Sequence, residues 1–92
     1  MANIGDRVGA ILSANNKEVE LLGFGTYLGE QVPSIEENEV LHHHGVKNPK
    51  IQLDNGSIVW GFECWWGPEE KIKESIGNRK VINVNIEGEE ID

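Results

Sequence analysis

All three tryptophans of the chain fall within one segment, VWGFECWWGPEE, from Val59 to Glu70, together with a carboxylate at Glu63 and the single cysteine, Cys64. Aromatic rings flanked by hydrogen-bonding side chains suit one kind of chemistry: they stack on a flat group and fix its edge. Alternation along an extended segment sends Trp60 and Trp66 into a core with Ile58, Phe62 and Cys64. Trp65 turns to the opposite face, where Gly61 leaves room and Glu63 and Lys50 stand. A second bare face runs through GFGTYLG, where Gly23, Gly25 and Gly29 surround Tyr27. If the two faces are neighbours, Tyr27 and Trp65 sandwich a planar group over a floor at Gly25 and Gly61. Glu63 and Asn48 then bind its edge and Lys50 meets a phosphate. The plainer alternative assigns the glycines to barrel twist and Trp65 to a cover over the end of the barrel.

Other reactive residue types form no catalytic set. GFGTYLG misses the spacing of a phosphate-binding loop, and no helix follows it. His42 and His44 would point the same way in an extended segment, but two ligands do not close a metal site, so neither metal nor cofactor is expected. Cys64 is buried by alternation with no base beside it. Glu69 and Glu70 are accounted for by a helix N-terminus. A binding module is expected, not an enzyme.

Composition narrows the partners. The 92 residues carry a formal charge of −8, which repels phosphate backbones and anionic lipid, so nucleic acid is an unfavoured partner. No apolar run approaches the roughly 20 residues that cross a bilayer, and no leader is visible. A cytoplasmic location is expected. A lone cysteine excludes an internal disulfide.

The elements that must position these residues read as mainly β, a single domain over residues 1–92. A first strand from about Arg7 to Ser13 buries Val8, Ala10 and Leu12, and a second begins near Glu18, with Leu22, Phe24 and Leu28 on one face and Tyr27 on the other. Residues 33–49 read as a long surface loop. Asn55-Gly56 predicts a two-residue type I′ hairpin that sets Leu53 opposite Ile58, Ile51 opposite Trp60 and Pro49 opposite Phe62. Pro68, Glu69 and Glu70 open a short helix whose apolar contacts are Ile72 and Ile76 and which Gly77 closes. RKVINVNI makes the last strand, before a frayed acidic tail at residues 87–92. About five short antiparallel strands with one helix before the last predict a small, half-open SH3-like barrel.

GDRV, GFGTYLGEQVP and IQLDNGSIVWG resemble the glycine-rich CAP-Gly pattern within that fold. The block NPKIQLDNG…VWGFECWWGPEE, Asn48 to Glu70, resembles short open reading frames of bacteria and their phages. The residues themselves lead to the expectation of a ligand-binding barrel that uses the Tyr27/Trp65 face, in an oligomer whose histidine loop completes a neighbour's pocket; the likeness adds sequestration of a nucleotide-like signal as its role. The alternative is a protein-interaction module, or an inhibitor of a host enzyme, that uses the same aromatics as anchors.

Overall fold

The computed structural model describes residues 2–91. β1 (Arg7–Ala14) and β2 (Glu18–Gln31) form an antiparallel ribbon. Its turn is held by the Asn15 side-chain oxygen, which accepts from the Lys17 and Glu18 N–H groups at 2.8 Å each. Along the other edge of β2 run two strands. β3 (Asn48–Leu53) pairs antiparallel with Gly25–Gln31, and β6 (Lys80–Asn83) pairs parallel with Glu18–Leu21. β4 (Ile58–Trp60) lies beside β3 and β5 (Trp65–Pro68) beside β1, so the path is β4-β3-β2-β1-β5 with a 3₁₀ turn, Gly61–Glu63, between its two ends. This is the mainly β, SH3-like fold that the sequence predicts, half-open because β4 and β5 do not pair with each other. It is corrected in its elements: there are six strands, the last is parallel to its neighbour, and there is a second helix.

One core cluster takes Val8 and Ala10 from β1, Leu22 and Tyr27 from β2, Ile51 and Leu53 from β3, Val59 from β4, and Val84, so the sheet curls around it. Behind the sheet, α2 (Glu69–Ile76) lays Ile72 and Ile76 on Ile11, Val19 and Leu21. Arg7 ties this second layer to the hairpin. Its guanidinium donates two bonds of 2.7 Å to Asp54 and one of 3.1 Å to Glu69, which holds the Asp54 carboxyl below its ordinary range.

Three backbone irregularities change the faces that simple alternation predicts. At Leu22–Gly23 the β1–β2 register shifts, with Ala10 opposite Gly23 and Ile11 opposite Leu21, and Gly23 takes a φ of +143°. This bulge inverts parity, so Leu22 shares a face with Tyr27, and Phe24 sides with Leu21. The β3–β4 turn is the second. Gly56 donates to the Leu53 carbonyl, Leu53 donates to Ser57, and only Gly56 has positive φ, +92°. That is a three-residue turn over Asp54, Asn55 and Gly56 in place of type I′, and it slips the expected register by one, to Ile51 opposite Val59 and Lys50 opposite Trp60. The third is the 3₁₀ turn. It interrupts the strand expected to run through Trp65 and leaves Phe62 exposed instead of in the core.

Two segments read as loose are built. Within residues 33–49, α1 (Glu39–His44) starts at Asn38, whose side chain accepts from the Leu41 N–H at 3.0 Å, and ends at Gly45 with φ +66°. Pro33 and Leu41 are the apolar residues of this segment that are buried. The acidic tail is also ordered over its described part. The Asn85 side-chain oxygen accepts from the Glu87 and Glu89 N–H groups, and Ile91 donates to the Asn83 carbonyl at 2.8 Å.

Candidate interaction surface

The expected Tyr27/Trp65 sandwich does not form. Tyr27 is only 7% exposed, and its ring stacks on Trp66 with centroids 5.2 Å apart and planes 13° from parallel. Its hydroxyl donates to Glu30, which raises the phenol's pKa, with burial adding to the shift. The glycine floor is closed as well. A Cβ on Gly25 would stand 2.1 Å from the Gln52 carbonyl oxygen, and one on Gly61 would stand 2.6 Å from both Pro49 and the Trp66 indole nitrogen. Both glycines admit the neighbouring chain, not a ligand.

Asn48 and Lys50 of that set are spent inside the fold. Asn48 is buried and donates to the Val46 carbonyl at 2.9 Å. Lys50 pairs with Glu37 at 2.9 Å and lies 5.6 Å over the Trp60 ring, which is itself only 3% exposed. The Ser34 N–H, then Lys50, holds the Glu37 carboxyl below its ordinary range. Of the seven expected site residues, Trp65 and Glu63 line one groove and the buried Asn48 lines the wall of a second.

That groove encloses about 290 Å³ between Leu12, Phe62, Glu63, Cys64 and Trp65. Trp65 is 70% exposed and Phe62 58% exposed. Across Phe62 lies a second groove of about 480 Å³, walled by Val40 and Leu41 of α1, Val46, Asn48 and His44. Phe62 lines both, so Trp65, Phe62, Val46 and Val40 form one continuous apolar strip. Local geometry explains it. The 3₁₀ turn lifts Phe62 outward, and the helical turn of α1 buries Leu41 while turning Val40 out.

Glu63 borders the strip. One carboxylate oxygen accepts from the Trp60 N–H at 3.1 Å, which closes the 3₁₀ turn. Burial raises its pKa; the Trp60 N–H opposes that shift and the Glu87 charge adds to it. The Cys64 thiol is pushed up to about 12, by burial first and then by Glu63. It stays a thiol at neutral pH. The histidines stand on α1, with the His42 ring nitrogen 3.1 Å from the Pro33 carbonyl and His43 3.8 Å from Glu39. No group of three or more His, Cys, Asp or Glu side chains among the described residues is placed to hold a metal ion.

Alternation placed Phe62 in the core, and Val40 and Val46, within the expected surface loop, were not singled out as site residues. Asn38 and Gly45, seven residues apart, were the available signal, because they are a helix start and a helix stop. A separate cleft of about 490 Å³ lies between the β3–β4 hairpin and the C-terminal segment, lined by Leu22, Leu53, Val84 and Ile91 among others and by no aromatic or cationic side chain. No helix of the described residues is long and apolar enough to cross a membrane. Comparison with family models, with curated proteins and with solved structures finds no match.

Proposed function

We propose that this protein is a non-enzymatic interaction module that docks on a protein partner through the Trp65–Phe62–Val46–Val40 strip. The observation that carries the reading is the solvent exposure of Trp65 and Phe62, two large aromatics that touch adjoining grooves in a chain with few aromatics. Exposed aromatics over concave apolar surface are what interface anchors look like. The sandwich reading for a nucleotide-like ligand loses its support, since Tyr27 is covered by Trp66 and Lys50 is neutralised by Glu37. Cys64 held as a thiol gives no nucleophile for an enzymatic reading. Two copies at −8 each repel, which favours a different protein over self-association.

The test compares capture by immobilised wild-type protein, by Trp65→Ser/Phe62→Ser and by Val81→Ser, Val81 being an exposed apolar residue on β6 that lines neither groove. A partner held by the wild type and by Val81→Ser, but lost from the double variant at unchanged melting temperature, supports the reading. Equal capture by all three contradicts it.

A further inference from the structure

We propose that the groove between Phe62 and Trp65 receives an arginine side chain of the partner protein, its guanidinium lying on the Trp65 ring and paired with the Glu63 carboxylate. This rests on the reading of the strip as a protein-docking surface. Glu63 spends one oxygen on the Trp60 N–H, and its other oxygen has no hydrogen bond or ion pair with any described residue. No lysine, arginine or histidine lines the groove. The turn that carries Glu87 packs beside it, with Leu12 Cδ2 3.8 Å from the place a Gly88 Cβ would occupy, so a second carboxylate adds to the field there.

The groove therefore offers a cation a carboxylate with one unpaired oxygen, a second negative charge in its field and an exposed indole among its lining residues. The guanidinium is the better fit of the two cationic side chains. It is planar and weakly hydrated, stacks on an aromatic face and presents a fork of donors to a carboxylate, whereas an ammonium is a strongly hydrated point charge. An acidic partner face would meet Glu63 and Glu87 without compensation, and the −8 charge of the chain steers in the same direction.

The experiment follows the three tryptophan indole N–H signals of the ¹⁵N-labelled protein during titration with N-acetyl-arginine amide and with its neutral isostere, N-acetyl-citrulline amide. The expected result is a saturable shift of the Trp65 signal with the arginine probe only, with Trp60 and Trp66 nearly still. Glu63→Gln should then weaken the arginine effect about threefold or more, as for an exposed charge pair. Equal shifts from citrulline, no movement at Trp65, or an unchanged affinity in Glu63→Gln would each overturn the inference. Those failures leave the docking surface standing if the Trp65→Ser/Phe62→Ser variant still loses its partner. Capture that ignores Trp65, beside a saturable arginine shift, would remove the docking reading and with it the partner's arginine.

Discussion

Tyr27 and Trp66 stack face to face with ring centroids 5.2 Å apart and planes 13° from parallel, and this pair joins β2 to β5 across the core. It also divides the labour of the aromatic segment: Trp66 and Trp60 complete the inside, and Trp65 is left for the outside. Tyr27→Ala should therefore cost about 3–5 kcal/mol, as for a large buried aromatic, while Trp65→Ala should fall within about 0.5 kcal/mol of the wild type. Urea denaturation of both variants checks this. Similar losses for the two would mean that Trp65 is part of the core.

The turn at Asp54-Asn55-Gly56 makes a different claim from that of a type I′ hairpin. Positive φ is needed at Gly56 alone, and a Cβ there would meet nothing within 4 Å, so the cost of Gly56→Ala is conformational strain of about 1–2 kcal/mol. Asn55→Gly removes the side-chain acceptor of the Ser57 N–H, made at 2.9 Å, and should cost less, about 0.5–1.5 kcal/mol. Melting curves that rank the two variants the other way would contradict the three-residue assignment.

The α1 segment is part of the fold. Leu41→Ala should destabilise by about 2 kcal/mol, the lower end for a buried leucine at the periphery, and Asn38→Ala by about 1 kcal/mol through loss of the helix cap. Deleting residues 36–44 should lower the melting temperature for the same reasons. An unchanged melting temperature would show that the fold does not depend on this segment.

Glu63 sets a pH dependence with a definite sign. Its pKa in the folded protein is raised, so the native state binds this proton more tightly than the unfolded chain does, and the group's contribution to stability falls as pH rises from the ordinary glutamate value through the raised one. Glu63→Gln keeps an oxygen that accepts from the Trp60 N–H and removes the charge. The variant should be at least as stable as wild type at neutral pH, and its advantage should shrink as the pH falls through that window. An advantage that grows on acidification would reverse the assignment.

Cys64 should be slow to alkylate. With the thiol at about 12 against an ordinary 9.0, its thiolate fraction at neutral pH is lower by about a thousandfold, and iodoacetamide should modify it far more slowly in the native state than in urea. Equal rates would show that burial does not control this thiol.

Much of the scaffold was legible because it rests on local chemistry. Val8 and Ala10 alternate into the core, Ile72 and Ile76 recur one helical turn apart, and Gly77 ends the helix that follows Pro68. The aromatic face was not legible, for a reason that lies in alternation itself. Period-2 reading is relative, so one extra residue at Leu22–Gly23 reverses every face that follows, including that of Tyr27. Asn55-Gly56 fits both a two-residue and a three-residue turn, and the difference of one residue moved Val59 from the expected outer face to the core. Phe62 is outside because three residues tightened into a 3₁₀ turn, a change that side-chain hydrophobicity does not encode. α1 is only six residues long, too short for a helical period to stand out.

The most direct measurement of the docking surface is site-specific photo-crosslinking in the cell of origin, with a photoreactive phenylalanine analogue placed in turn at positions 65, 62 and 81. Discrete adducts to one and the same partner from positions 65 and 62, with none from position 81, are the result that the exposed aromatic strip predicts. Adducts from position 81 alone, or none from position 65 in a protein that retains its native melting temperature, would contradict it.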